Sequence, residues 1–261
     1  MKFKLSVIIP VYNNYNFTKD LLGDLFYCTR NSNGFNFEAV NNYEFIIVDN
    51  ASTDETKNIE TAKINKPQNL KYIRNDINLG FAKACNIGYK ESNGEFILFL
   101  NNDVRSTKVK DYQNKIEKAI WAHEYLNKLE LDEPFNKIIG PTGGELNDDF
   151  SFKREVAKFE NGDKYLNEFN KTYLSGWCLA ARKNVFEKLK GEYDGPFSEK
   201  FGLAFFEDTD LSFRAKREKI KLEIVPFDLI HFGHMTAKKM NMSELYLSAK
   251  EKFIKEWQNK I

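Results

Sequence analysis

Four apolar runs set the strongest limit on how this chain can fold: LSVIIPVY over residues 5–12, YEFIIVD over 43–49, LKYIR over 70–74 and EFILFL over 95–100. A strand with one wet face alternates apolar and polar residues. These runs hardly alternate, so each is expected to be covered on both faces, as strands of a parallel sheet are. Helical patterns lie between them: Phe17, Leu21 and Leu25 at four-residue spacing, a capping box from Ser52 to Glu55, then Phe81, Cys85 and Tyr89. Strand and helix alternate, which predicts an α/β fold with a doubly wound, mostly parallel sheet flanked by helices. With 261 residues, 42% of them hydrophobic, the chain can bury one large core, and a single domain is expected.

Farther along, the polar stretch 28–42 reads as a surface insertion. Residues 111–131 read as a long helix with Tyr112, Ile116, Ala119, Ile120, His123 and Leu126 on one face, ended by Pro134. After KIIGP comes a charged, less regular stretch to Thr172. Then follow the strand WCLAAR (177–182), helices at KNVFEKL and DTDLSFRAKRE, and the strand LEIVP (222–226). The expected division is 1–105 and 106–242 as two halves of one domain, with 243–261 as a terminal amphipathic helix. Its stripe of Tyr246, Ala249, Phe253 and Trp257 beside Lys250, Lys252, Lys255 and Lys260 favours packing on the domain; resting on a membrane surface is the alternative.

Lys and Arg number 39 against 38 Asp and Glu, so no global field recruits nucleic acid. Cys28, Cys85 and Cys178 are odd in number and lack C-x-x-C spacing, which argues against a disulfide framework or a structural zinc site and fits a reducing cytoplasm. The opening MKFKLSVIIPVY meets Pro10 after a short apolar run, and nowhere do eighteen apolar residues run together; neither a signal peptide nor a membrane span is expected.

In an open parallel sheet, ligands bind beyond the carboxyl ends of the strands. The first strand leads into Pro10-Val11-Tyr12-Asn13-Asn14, the second into Asp49 to Asp54, and the fourth into Asn101-Asn102-Asp103. Asp49 can accept hydrogen bonds from a base imide or a ribose hydroxyl; the helix cap falls to Ser52, and Asp54 reads as a turn or cap residue. The chain lacks a Gly-rich phosphate loop, so a phosphorylated ligand would need a divalent cation, Mn²⁺ or Mg²⁺, held by oxygen ligands, and Asp103 is the candidate. Asn101 and Asn102 can donate to ribose or phosphate without adding negative charge. A simple turn closing a strand is the alternative reading of the triplet.

Glu207, Asp208 and Asp210 place three carboxylates within four residues, between LAFF and LSFRAKR. Partly buried and mutually repelling acids acquire pKa values suited to proton transfer. On helix geometry Glu207 and Asp210 share a face and would turn towards Arg214 or Arg217, which leaves Asp208 for the cleft as a base. For Asp210 a dipole-stabilising place in the first helical turn is the better reading. His231 and His234 follow the last strand, and His231 is the stronger candidate for a metal ligand or a leaving-group contact.

Six segments in series, SVIIPVYNN, FIIVDNASTDET, NLGFAKACNIGY, FILFLNNDV, SGWCLAARKNVF and FFEDTDLSFRAKREKIKLEIVP, resemble the inverting family-2 glycosyltransferases of GT-A fold, particularly the bacterial rhamnosyl- and galactofuranosyltransferase-like branch. The resemblance covers most of the chain. It implies a Rossmann-like GT-A domain that moves a sugar from a nucleotide-sugar, UDP- or dTDP-linked, to an acceptor hydroxyl on a glycan, lipid-linked or protein acceptor in bacterial surface glycan synthesis. By the same likeness Pro10, Tyr12 and Asp49 hold the nucleotide, Asn78 and Gly80 of the NLGFA loop line the donor pocket, and Asn101 to Asp103 replace the family's Asp-x-Asp motif. Asp208 becomes the general base, His231 a second metal ligand beside Asp103, and Trp177 and Glu207 border the acceptor. The family usually carries an acid where Asn101 stands, so Asp103 would be the sole carboxylate ligand of a modestly held metal. Two other classes compete. A sugar nucleotidyltransferase would need a Gly-rich, basic loop after the first strand, and PVYNNYN has neither; a non-catalytic carbohydrate-binding or scaffold protein would be expected to have lost Asp103 or Asp208.

Overall fold

The computed structural model describes residues 3–27, 30–31, 34–35, 42–62, 69–106, 136–156, 166–167, 171–225, 229–233 and 241–261. Most of the insertion expected over 28–42, the helix expected over 111–131 with His123, and Cys28, Pro134 and His234 lie outside these residues.

The first half runs β1 (Phe3–Val11), α1 (Tyr15–Tyr27), the short pair β2 (Arg30–Asn31) and β3 (Gly34–Phe35), β4 (Tyr43–Asp49), β5 (Leu70–Arg74), α2 (Phe81–Lys90) and β6 (Gly94–Leu100). The second half gives β7 (Val104–Ser106), β8 (Lys137–Gly140), β9 (Gly143–Leu146), β10 (Phe152–Val156), β11 (Thr172–Leu174), β12 (Cys178–Arg182), α3 (Lys183–Glu187), α4 (Glu207–Arg217), β13 (Lys221–Ile224), β14 (Leu229–His231) and α5 (Met242–Trp257).

Seven strands form the main sheet in the order β13-β8-β12-β6-β1-β4-β5, with every pairing parallel except those of β12, which runs against both neighbours. The doubly wound, mostly parallel sheet read from the alternation is therefore present. β1 and β4 bury both faces because apolar residues of opposite parity feed two separate cores. Val7, Ile9 and Val11 pack with Leu21, Leu22 and Leu25 of α1 on one side, whereas Ile8, Ile46 and Val48 pack with Ala84, Cys85 and Tyr89 of α2 on the other. β5 departs from the expectation: as the edge strand it leaves Lys71 and Arg74 exposed. The capping box is also corrected. A short 3-10 turn, Glu55–Asn58, follows β4, and Asp54 caps it by accepting from the Thr56 amide. Ser52 is taken by another partner, since its hydroxyl accepts from the Asn13 amide at 2.7 Å.

The stripe on α5 is buried on the domain. Ala249, Phe253 and Trp257 join Phe150, Phe201, Phe206 and Phe213 in a third core, and the Trp257 indole donates to Asp210 Oδ1 at 2.9 Å. Among the described residues no helix is long and apolar enough to cross a membrane. Cys85 and Cys178 are buried inside the core.

α2 can lie flat on the sheet because Gly88 faces it: a Cβ there would stand 2.4 Å from Ile8 Cγ2 and 3.2 Å from Val48 Cγ2. Alanine is the better helix former by about 1 kcal/mol, but two branched side chains of the core must move to admit it. Gly88→Ala is expected to lower the unfolding free energy by about 1–3 kcal/mol, as overpacking does. Urea denaturation measures this, and an unchanged or higher midpoint would show that the helix shifts freely.

Candidate active site at the carboxyl ends of the strands

Parallel pairing places the exits of β4, β1 and β6 side by side, and short hydrogen bonds knit their loops together. The Asn50 amide donates to Val11 O at 2.8 Å. Asn13 Oδ1 accepts from the Thr53 amide at 2.8 Å, and Asn102 Nδ2 reaches Thr18 Oγ1 at 2.9 Å. Asn13, Asn14 and Ala51 take positive φ values of 59°, 64° and 61° to make these reversals; asparagine tolerates this region better than most residues. A cleft of about 420 Å³ opens over the strand ends. Pro10, Tyr12, Asn78, Gly80, Asn101, Asn102, Asp103, Trp177, Glu207, Asp208 and His231 are among the residues that line it.

Asp49 does not reach the cleft. It is wholly buried, and both its oxygens are engaged. The Ser52 amide donates to Oδ1 at 2.8 Å, the Tyr72 hydroxyl donates to Oδ2 at 2.5 Å, and the Arg74 guanidinium pairs with the same oxygen. Burial and the bond to Asp49 push the Tyr72 phenol up. Direct reading of a base by Asp49 is thus not the arrangement seen; the edge strand turns Tyr72 and Arg74 onto it first. Arg74, 39% exposed at its side chain, was missed. The available signal was the register that sets Arg74 opposite Asp49 at the strand ends.

Asn78 Oδ1 accepts from the Gly80 amide at 3.0 Å, and Asn50 Nδ2 donates to Gly80 O at 3.0 Å. Gly80, at φ 86°, is needed for close approach as well as for its backbone angle: a Cβ would lie 2.7 Å from Leu203 Cα.

The β7–β14 pair sets His231 opposite Val104, and the Phe232 amide donates to Asp103 O at 3.0 Å. His231 Nε2 consequently stands 3.2 Å from Asp103 Oδ1 and 3.4 Å from Asn101 Nδ2. Asp103 Oδ1 and Asn101 Oδ1 are shut away from solvent and accept no hydrogen bond from a described group; the imidazole is at ion-pair distance without completing one. A buried anionic oxygen without a donor is costly unless a cation supplies the compensation. A carboxylate oxygen and an amide oxygen suit Mn²⁺ or Mg²⁺, and an imidazole nitrogen suits a transition ion such as Mn²⁺ better than Mg²⁺, so these residues fit a divalent ion, Mn²⁺ before Mg²⁺. Among the described residues no third acid, His or Cys joins the pair, which leaves further coordination positions to ligand oxygens and water. Trp177, expected beside the acceptor, lies flat on His231, ring centroids 4.9 Å apart and planes 11° from parallel.

The part of the lining that leads into α4 begins with two left-handed residues, Phe205 at φ 77° and Phe206 at φ 67°. Such backbone costs about 1–3 kcal/mol per residue. Aromatic packing holds it, with Phe206 against Phe253 at 4.8 Å and Phe205 against Tyr246 at 5.4 Å. The turn presents Glu207 and Asp208 to the cleft. Asp208 Oδ2 accepts from the Gly176 amide at 2.8 Å and Oδ1 from the Thr209 amide at 2.7 Å. Gly176 permits this approach, since a Cβ would meet Asp208 Cβ at 3.0 Å. Burial raises the Asp208 carboxyl above its ordinary range. Glu207 rises to about 8, first through desolvation of its carboxyl, although the residue as a whole keeps some exposed area, and then through the charge of Asp208.

Asp210 is structural, as expected: Arg214 Nε donates to it at 2.7 Å, and Trp257 takes its other oxygen. Glu207 does not share that role. Arg214 is committed to Asp210 and to the carbonyls of Leu189 and Pro196, so Glu207 is left in the cleft wall. Sequence reasoning also missed the apolar end of the cleft, where Leu146, Phe152 and Tyr173 meet Met242, Leu245 and Tyr246 of α5.

Comparison with known proteins agrees with this architecture. The family described as Glycosyl transferase family 2 matches residues 6–190. An uncharacterized glycosyltransferase of Rickettsia conorii is 32% identical over 135 residues, 52% of this chain and 20% of that protein. The poly(ribitol-phosphate) beta-N-acetylglucosaminyltransferase TarS of Staphylococcus aureus is 32% identical over 141 residues, 54% of this chain and 22% of that protein. The chain thus spans about a fifth of the length of these curated relatives. A TarS structure in complex with UDP-GlcNAc superposes with a TM-score of 0.56 at 18% identity, covering 97% of this chain and 67% of that one. The mannosyltransferase PcManGT of Pyrobaculum calidifontis, solved with GDP-Man and Mn²⁺, gives 0.56 at 16% identity, covering 87% of this chain and 55% of that one. The chain has the GT-A fold.

The buried acid pair has a consequence for stability. Folded Glu207 keeps its proton up to about pH 8, whereas an unfolded glutamate loses it near 4.5. Between those values the folded state binds more protons, so the contribution of this group is fullest below pH 4.5 and falls as pH rises towards 8. Glu207→Gln is expected to flatten that decline in thermal melts collected across this range, and an unchanged slope would show that Glu207 ionises normally.

Proposed function

The chain belongs to glycosyl transferase family 2, and on that premise we propose that it is an inverting, divalent-metal-dependent glycosyltransferase that moves a sugar from a UDP- or dTDP-sugar to an acceptor hydroxyl in bacterial surface glycan or glycoconjugate synthesis. The observation that carries this reading is one cleft with an orphaned Asp103 oxygen beside His231 in one wall and a desolvated carboxyl, Asp208, held by the Gly176 amide in another. A rhamnosyl- or galactofuranosyl-type donor is its narrower form and rests on the order of the sequence motifs.

In this reading the nucleotide lies against Pro10, Tyr12, Asn78 and Gly80, with Asn101 and Asn102 donating to ribose or phosphate. Asp49, held by Tyr72 and Arg74, fixes the exit of β4 through the Ser52 amide. Asp103, His231 and Asn101 Oδ1 would hold Mn²⁺ or Mg²⁺; the PcManGT structure with GDP-Man and Mn²⁺ is consistent with such an ion in this fold. A cation bound there supplies charge neutralisation for the departing diphosphate. Asp208 takes the proton of the acceptor hydroxyl, whose oxygen forms the new bond to the anomeric carbon as the bond to the diphosphate breaks on the opposite face, inverting the configuration. The Gly176 amide on Oδ2 and the Thr209 amide on Oδ1 fix the orientation of this carboxyl. Glu207, Trp177 and the apolar end of the cleft lie towards the acceptor, a glycan, lipid-linked or protein molecule. Residues 1–105 supply the nucleotide side and 106–242 the acceptor side, and α5 closes the cleft rather than standing apart.

Removing a positioned general base costs roughly 10²- to 10⁴-fold in rate. Asp208→Asn should lose transfer by that factor in a panel of nucleotide-sugars while still binding nucleotide; normal turnover would refute the base assignment. Asp103→Ala should abolish the Mn²⁺-dependent part of nucleotide binding in calorimetry, and an unchanged metal dependence would remove Asp103 from the metal site.

A further inference from the structure

We propose that Trp177 is the positioning residue for His231 and thereby sets the affinity of the Asp103–His231 pair for a divalent cation; the inference rests on the metal assignment above. Two attachments hold His231. The first is backbone: Leu229, Ile230 and His231 pair with Ser106, Arg105 and Val104, and the Phe232 amide closes the ladder onto Asp103 O. This fixes the Cα but leaves the side-chain torsions their staggered alternatives. The second is the indole of Trp177, stacked nearly parallel on the imidazole.

A ligand histidine is ordinarily oriented by a hydrogen bond from its other ring nitrogen to a carboxylate, carbonyl or water. Here no described residue takes a hydrogen bond from His231 Nδ1, and the imidazole, 24% exposed at its side chain, would be free to turn away. The stack substitutes for that bond. Its geometry suits the task because the Nε2 lone pair lies in the ring plane; an aromatic ring laid on the face fixes that plane and leaves the coordinating edge open towards Asp103 Oδ1, 3.2 Å away.

Trp177 is itself anchored at both ends. Its indole nitrogen donates to Thr142 Oγ1 at 3.1 Å, and its carbonyl accepts from the Asn101 amide at 2.9 Å, one step beyond the pairing of Cys178 with Leu100. One residue thus ties the exit of β6, which leads into Asn101 and Asp103, to the orientation of the imidazole from β14.

The test is Mn²⁺ binding to the full chain, followed by electron paramagnetic resonance of free Mn²⁺ and by calorimetry, with Mn²⁺ alone and with Mn²⁺ plus UDP. Trp177→Ala and Trp177→Leu, which remove the flat face with and without loss of apolar bulk, are expected to weaken binding about 10- to 100-fold, the range for groups that orient a metal ligand. Trp177→Phe, which keeps a flat ring, should restore most of the affinity. In a His231→Ala background the Trp177→Ala change should have no further effect, because coupled residues are not additive. Metal-free melts check folding, and Trp177→Leu carries the comparison if the alanine variant is unstable. Wild-type affinity in the leucine variant, or additive losses in the double variant, overturns the proposal. If the wild-type protein itself binds no Mn²⁺ with or without UDP, the metal assignment falls together with this inference, whereas the Asp208→Asn comparison still decides the base.

Discussion

The pairing of β1 with β4 on one side and β6 on the other governs what the rest of the molecule can do. Because β1 and both neighbours run parallel, their carboxyl ends open on the same edge, with Val11 level with Asp49. Both faces of that sheet pack into apolar cores, so the register is set by two apolar faces at once. Three loops are thereby brought into hydrogen-bonding contact. Asn13 and Asn50 connect the first two exits, and Asn102 links the third back to α1. The polar floor of the cleft follows directly from this arrangement.

The lining at the start of α4 is assembled by different means. Phe205 and Phe206 hold left-handed backbone that neither residue favours, and they do so because their rings enter the aromatic cluster built by α5. That cluster also seats Trp257 on Asp210 and so fixes the start of α4. A terminal helix that could pass for an appendage therefore positions the acidic turn from which Asp208 reaches the Gly176 amide. Stability of the C-terminal core and geometry of the acid pair are parts of one structure.

Much of this was legible in the sequence wherever a pattern repeats. The strands, their order of alternation with helices, the polar exits after Tyr12 and Leu100, and the structural role of Asp210 follow from periodicity and from charge next to apolar sequence. What escaped has a common physical origin in contacts between segments distant in the chain. Ser52 looks like a cap locally, yet the backbone of Asn13 takes its hydroxyl. Asp49 looks like an open acceptor until β5 adds Tyr72 and Arg74. Trp177 and His231 lie 54 positions apart in the chain, and no spacing announces their stack. The apolar end of the cleft escaped because β10 is short and largely exposed and its neighbours carry no period that distinguishes them from a loop.

The central claim is that two walls of one cleft divide the work, with a cation at Asp103 and His231 and a proton acceptor at Asp208. Anomalous diffraction at the manganese edge, from crystals containing Mn²⁺ and a nucleoside diphosphate, tests it most directly. The expected result is a single strong peak within coordination distance of Asp103 Oδ1 and His231 Nε2, with Asp208 free of the metal. A peak coordinated by Asp208, or none beside Asp103, would contradict the division.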